Sequence, residues 1–206
     1  MRRSDGGVML RLAFLASNNG SSMRAIIAAI RAGALDATPV LVVSNKAASG
    51  ALAYAHEQGL PARCIPTMPD AVAADAALCA ALSEARADLV ILSGYLRKLG
   101  PQTLAAFENK ILNVHPSLLP AFGGEGMYGR RVHEAAAAAG VTHSGATIHV
   151  VDALYDHGPI IAQREAALAP GDDAAAIERK VTAIEPALYI DTLQRIIAGE
   201  IDLARL

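Results

Sequence analysis

Asn113 and His115 stand two positions apart in the string Ile111-Leu112-Asn113-Val114-His115-Pro116-Ser117-Leu118-Leu119-Pro120. Ile111, Leu112 and Val114 read as the end of a buried strand, so the amide and the imidazole project from the same face of an extended chain. Pro116 lacks an amide hydrogen for the ladder and biases His115 away from helix, which ends the strand there. An amide that can donate to a developing oxyanion and an imidazole that can carry charge are thereby offered together at a strand's carboxyl end. Open α/β sheets bind their ligands at that end. Taken alone, the pair also fits a satisfied structural histidine beside a turn-forming asparagine.

A carboxylate would complete such a pair. Asp156 lies in the turn Asp152-Ala153-Leu154-Tyr155-Asp156-His157-Gly158-Pro159, about forty residues on. Beside an imidazole it would favour the charged ring; by itself, an Asp-x-Gly-Pro segment is equally ordinary turn chemistry. A second chemical reading uses His143, His149, His157, Asp152 and Asp156 as a pool of metal ligands. Their spacing matches no zinc pattern such as H-E-x-x-H, so no metal is expected. A third feature is the turn Ser17-Asn18-Asn19-Gly20-Ser21-Ser22. It joins a strand to a helix amino terminus, where free amides and the helix dipole favour an anion. It is neither a dinucleotide fingerprint nor a Walker loop; it suits one phosphomonoester or is a plain capped turn. The Gly-rich segment Gly123-Gly124-Glu125-Gly126-Met127-Tyr128-Gly129 is either a surface loop or one that approaches a ligand and closes over it.

The elements that must position these residues follow from hydrophobic spacing. Strands are read at Leu10–Ser17, Pro39–Ser44, Ala62–Pro66, Asp88–Ser93, Ile111–His115, Gly145–Val151 and Pro159–Ala167. Helices are read at Met23–Ala32, Ala51–Gln58, Ala71–Ala85, Pro101–Phe107 and Arg131–Ala139. Ala174–Ile197 is one long helix or a pair broken at Pro186. Alternation of strands and helices predicts βαβ units and a mostly parallel sheet with right-handed crossovers. The short connection between the last two strands predicts an antiparallel pair. The fold class is therefore α/β: a single domain with a mostly parallel sheet flanked by helices and an antiparallel extension towards the carboxyl terminus. Residues 1–9 are expected to be a disordered leader and residues 10–206 the domain.

The bulk composition narrows the function classes. The 206 residues are 53% hydrophobic, enough for a sizeable core, and the formal net charge is -2. No basic face for nucleic acid and no polybasic membrane patch is present in the sequence. Two cysteines, Cys64 and Cys79, are too few for a disulfide framework and read as filler in a reducing compartment. No run reaches about 18 uninterrupted apolar residues, and the first apolar segment carries Arg11, so neither a spanning helix nor a signal peptide is read. A cytoplasmic protein, monomeric or homodimeric and acting on small molecules, is expected.

Taken together, Asn-Val-His-Pro-Ser-Leu-Leu-Pro, the strand Ser144-Gly145-Ala146-Thr147-Ile148-His149-Val150-Val151 and the Asp156-x-Gly-Pro turn resemble the folate-dependent formyltransferase superfamily. The first turn, Ser44-Asn45-Lys46-Ala47 and Ser93-Gly94-Tyr95-Leu96-Arg97 resemble its purine-pathway branch, over residues 10 to about 190. The resemblance implies a Rossmann-like formyltransferase fold, 10-formyltetrahydrofolate as donor and the amine of 5'-phosphoribosylglycinamide as acceptor. It assigns catalysis to Asn113, His115 and Asp156, the acceptor's phosphate to Gly20, Ser21 and Ser22, and a ribose contact to Glu185. It places the folate against Leu96, Arg97, Lys98 and Leu99, against Asn113, and against Asp152, Ala153, Leu154, Tyr155 and Asp156.

This chain departs from the family's pattern at several points. Asn18 stands for a usual glycine, tolerating left-handed backbone, and Ser22 for a usual asparagine. Glu125 stands for a usual lysine. His157 replaces a small residue, where it would crowd the folate loop or tune Asp156. A basic residue that often contacts folate near position 71 is absent, since Ala71-Val72-Ala73-Ala74 is apolar. Two alternatives share the resemblance. One is a formyltetrahydrofolate deformylase, in which water replaces the amine; the other is a diverged, non-catalytic phosphoribosyl- or folate-binding paralogue. The deformylase usually carries an extra domain before the first strand and the transfer-RNA formyltransferase one after the last, and neither is expected here.

Overall fold

The computed structural model describes residues 9–206, and the expected leader falls almost wholly outside them. Seven strands form one sheet: β1 (Leu10–Leu15), β2 (Ala37–Ser44), β3 (Ala62–Cys64), β4 (Leu89–Leu92), β5 (Ile111–His115), β6 (His143–Val150) and β7 (Ile160–Ala167). Their order is β3-β2-β1-β4-β5-β6-β7. The first five run parallel, and β6 pairs antiparallel with both β5 and β7. The expected hairpin-like pair is thus present, and β5 is the strand at which the sheet changes sense.

Six helices cover the sheet: α1 (Ser21–Arg31), α2 (Gly50–Glu57), α3 (Ala71–Glu84), α4 (Pro101–Ala106), α5 (Arg130–Ala138) and α6 (Ala174–Ile197). Successive residues of β1 feed opposite layers. Leu12, Phe14 and Ala16 pack with Met23, Ile26, Val181 and Tyr189, while Ala13 and Leu15 pack with Leu78, Leu82 and Phe107. Burial on both faces is why this strand reads as an unbroken apolar run.

Helix α6 resolves the question posed by Pro186 in favour of one continuous helix of 24 residues. An internal proline costs about 3 kcal/mol or more. Ile177, Val181, Leu188, Tyr189 and Leu193 are buried along the same helix, at roughly 1.5–3 kcal/mol each, so packing outweighs the proline. Tyr189 is fully buried, and its hydroxyl lies 3.0 Å from the Leu92 carbonyl and 3.3 Å from that of Leu112. That contact pins α6 across the β4–β5 junction. Glu185, one turn earlier, shares the helix face of Tyr189. Among the described residues no helix is long and apolar enough to cross a membrane.

The chain runs from β1 out to β3 and returns to β4, so the strand order reverses beside β1. Ser17 ties the carboxyl ends there. Its amide donates to Gly94 O at 3.1 Å, its hydroxyl donates to Asn45 Oδ1 at 2.7 Å, and it accepts from Leu96 N at 2.8 Å. Three βα loops therefore meet above β1, β2 and β4, at the crevice where doubly wound folds hold ligands.

Candidate active site

Asn113 and His115 sit at the carboxyl end of β5 as their spacing predicts, and β6 brings a further imidazole beside them. The register pairs Asn113 with His149 and His115 with Thr147. A side-chain chain follows: Asn113 Nδ2 lies 3.1 Å from His149 Nε2, which lies 3.4 Å from Asp156 Oδ1, while Asp156 Oδ2 lies 3.3 Å from His115 Nδ1. The tertiary fold thus brings the three expected catalytic residues together, Asp156 meeting His115 directly and Asn113 by way of His149. His149 Nδ1 faces the Val150 carbonyl at 2.9 Å, which only a protonated nitrogen can satisfy.

The His115 ring is buried and held on both sides. Nε2–H donates to the Phe122 carbonyl at 2.8 Å, and Nδ1 faces the Asp156 carboxylate. A ring flanked by two acceptors is best satisfied when both nitrogens carry protons. Asp156 occupies left-handed backbone at φ 53° and also accepts from Gly124 N at 3.0 Å. Burial works against its charge. Hydrogen bonds from His115 and His149, the His115 charge and the Gly124 amide nonetheless hold the carboxyl well below the usual carboxylate range. Glu185, half-buried on α6, behaves in the opposite way: burial pushes it up to about 7, although the His115 charge pulls it back.

A cleft opens over this group, lined by Leu92, Tyr95, Arg97, Lys98, Leu99, Asn113, His149, Val151 and residues 152–156. Its walls are chiefly apolar, with charge supplied by Arg97, Lys98, Asp152 and Asp156. Every residue expected to meet the folate lines it except Leu96, whose side chain is exposed and whose amide is spent on Ser17. Lys98 Nζ stacks 5.4 Å from the centroid of the Tyr155 ring and links the cleft's two lips. A larger hollow at the opposite end of the sheet, lined by Leu10, Asp88, Lys110 and Leu203 among others, touches none of these groups.

At the first turn, Gly20 is left-handed at φ 63° and begins α1 without a side-chain cap. Met23 N is taken by the Ser93 hydroxyl at 3.0 Å, while no partner is found among the described residues for the amides of Ser21 and Ser22. Ser21 is exposed; Ser22 is buried beneath the turn. The left-handed position in this turn falls on Gly20, and Asn18 does not occupy one. Asn18 Oδ1 accepts from Lys46 Nζ at 2.9 Å and brings a cation to the turn's rim. His157 turns outward to Asp152 Oδ2 at 2.8 Å and makes no contact with Asp156 in the hydrogen-bond network. Of the candidate metal ligands, His143 faces Glu165, His157 faces Asp152 and His149 faces Asp156, and among the described residues no group of three or more such side chains is arranged to hold a metal ion.

Residues 10–193 match the formyl transferase model. The chain belongs to the formyl transferase family. It is 38% identical over 186 residues to the phosphoribosylglycinamide formyltransferase, chloroplastic, of Vigna unguiculata, covering 89% of this chain and 60% of that protein. It is 32% identical over 191 residues to phosphoribosylglycinamide formyltransferase of Bacillus subtilis (strain 168), covering 92% of this chain and 95% of that one. The crystal structure of glycinamide ribonucleotide transformylase 1 from Symbiobacterium toebii superposes with a TM-score of 0.85 at 35% identity, covering 93% of this chain and 89% of that one. The chain spans less than two thirds of the plant relative's own length.

Sequence reasoning treated His149 only as a potential metal ligand in this formyl transferase chain. Its signal was present: Thr147 and His149 alternate along a strand as Asn113 and His115 do along theirs. Lys46 and the Phe122 carbonyl carried no such signal, because the loops that deliver them have no periodicity.

Proposed function

We propose that this chain transfers a formyl group from 10-formyltetrahydrofolate to the amine of 5'-phosphoribosylglycinamide. The observation that carries the reading is the Asn113–His149–Asp156–His115 chain, whose first three members line a mostly apolar cleft while His115 lies buried behind Asp156. A flat pterin suits those walls, and the backbone groups of residues 152–156 suit its polar edge. The acceptor's phosphate is assigned to the free amides above Gly20, with Ser21 and Lys46 beside them, because uncapped amides and a cation favour an anion. Ser22 contributes its amide there; its hydroxyl is buried. Glu185, whose carboxyl burial pushes up to about 7, can accept from a ribose hydroxyl and, when protonated, also donate to one.

In the proposed reaction the acceptor nitrogen attacks the formyl carbon, a C–N bond forms and the carbonyl oxygen becomes an oxyanion. Asn113 donates a hydrogen bond to that oxygen when the substrate displaces its contact with His149. One such donor is worth about 3–4 kcal/mol. The charged His115 ring, with Asp156 as counter-ion, stabilises the same oxyanion. Asp156 takes the amine proton, directly or through water. The C–N10 bond then breaks, and the proton returns to N10 of the leaving tetrahydrofolate. Proton transfer of this kind contributes typically 10²–10⁴-fold.

A folate absorbance assay with 10-formyltetrahydrofolate, run with and without the ribonucleotide, tests the reading. Loss of the formyl group only when the ribonucleotide is present is expected. Loss without it identifies a deformylase. No loss in either case, with folded protein, identifies a binding protein without turnover.

A further inference from the structure

We propose that Thr147 and Gln163 are positioning residues for His115, forming a polar row that crosses from the sheet's edge and fixes the loop carbonyl on which the imidazole hangs. The register places His115 on β5, Thr147 on β6 and Gln163 on β7 directly opposite one another. Thr147 is completely buried. Its hydroxyl donates to Ser117 O at 2.6 Å and accepts from Leu119 N at 3.0 Å and Gln163 Nε2 at 2.9 Å. A threonine hydroxyl has one donor and two acceptor positions, so its capacity is filled. Gln163 Nε2 donates again to Leu119 O at 3.0 Å. Ser117 Oγ donates to Ala121 O at 2.5 Å.

Residues 117, 119 and 121 are thus tied down immediately before the carbonyl that matters. Phe122, left-handed at φ 54°, turns its oxygen onto His115 Nε2, and two residues later Gly124 N donates to Asp156. One loop therefore supplies the acceptor for the histidine and a donor for its carboxylate partner. The loop packs directly against both partners: a Cβ on Gly123 would meet the tip of the Leu119 side chain at 2.4 Å and Asp156 Cβ at 3.4 Å. Neither Thr147 nor Gln163 hydrogen-bonds the ring, so both act through the loop. Release of the loop frees Nε2–H and lets the ring turn out of line with Asp156. The ionisable groups facing His115 are Asp156 from the β6–β7 turn, Glu185 on α6 and His133 on α5. None of them is altered by the substitutions below.

The catalytic consequence rests on the transfer reading, whereas the orientation of the ring does not. The test therefore pairs kinetics with ¹⁵N–¹H spectra of the histidine rings in the free protein, with the His115 signal assigned by its absence from His115→Ala. Gln163→Leu, at an exposed edge position, removes both side-chain donations while sparing the core. Thr147→Val removes the hydroxyl isosterically, and Thr147→Ser retains it. The wild-type protein and Thr147→Ser are expected to show a slowly exchanging Nε2–H signal. Gln163→Leu and Thr147→Val are expected to lose it, with kcat falling about 10- to 100-fold, the scale of a small misplacement of a reacting group, and KM unchanged. A retained signal in folded Gln163→Leu overturns the proposal whatever the rate. A lost signal with unchanged kcat overturns its catalytic part. A wild-type protein that is inactive in the formyl assay yet shows this pattern of signals refutes the transfer reading alone.

Discussion

The pairing of His115 with Asp156 is where single atoms matter most. Asp156→Asn keeps the shape but removes the charge that the imidazole faces at 3.3 Å. Both Asp156→Asn and His115→Ala are expected to lower kcat by about 10²–10⁴-fold, with the circular dichroism spectrum unchanged. A near-wild-type rate in either would refute the mechanism. His149→Phe keeps an aromatic ring but removes the link between Asn113 and Asp156. A smaller loss is expected, about 10-fold, the lower part of the range for a donor that only orients another group. Steady-state rates for the three variants rank the roles directly, and a His149 variant as impaired as the Asp156 variant would make it a full participant.

Local elements hold this geometry through a few contacts that no propensity scale reveals. Helix α4 lacks a cap of its own, and Asp75 of α3 caps it from outside: its carboxylate accepts from Gln102 N at 2.8 Å and Thr103 N at 3.1 Å. Asp75→Ala is expected to destabilise the protein by about 1–2 kcal/mol, read as a lowered urea midpoint with unchanged slope. Gly158 closes the turn after Asp156 against the sheet, and an added Cβ would lie 2.0 Å from Val150 O. Backbone cannot give way as a side chain can. Gly158→Ala is therefore expected to cost about 1–3 kcal/mol and to lower kcat by displacing Asp156. Loss of stability without loss of rate would show that the turn is independent of the carboxylate. Most elements were legible from hydrophobic spacing, and so was the antiparallel pair. The cap from Asp75 was not, because its two partners lie 27 and 28 residues away.

At the scale of the whole molecule, two carboxyls push stability in opposite directions with pH. Asp156 is held below its ordinary 3.8, so its contribution is present above that value and is lost as the pH falls below it. Glu185 is raised from 4.5 to about 7, so the folded state binds the extra proton between those values. Stability from that source falls as pH rises through the same window. Glu185→Gln is expected to flatten the Tm profile between pH 4.5 and 7 while leaving the acid limb in place. A profile that still declines there would assign the effect to another group. The same variant keeps an amide able to donate to a hydroxyl, so its acceptor KM should change little at low pH.

The sequence by itself determined the chemistry on offer and the class of scaffold. Alternating strands and helices, an amide and an imidazole two residues apart, and an aspartate in a later turn are all local features. They depend on backbone periodicity and side-chain identity, which neighbouring residues set. The tertiary structure decided which groups meet. It drew His149 between Asn113 and Asp156, turned His157 away to Asp152, buried the Ser22 hydroxyl and left its amide, and hung His115 from the carbonyl of Phe122. Each of these contacts depends on strand register, loop closure or the packing of α6 across the sheet. Those are distance relations between residues far apart in the chain, and no local pattern encodes them.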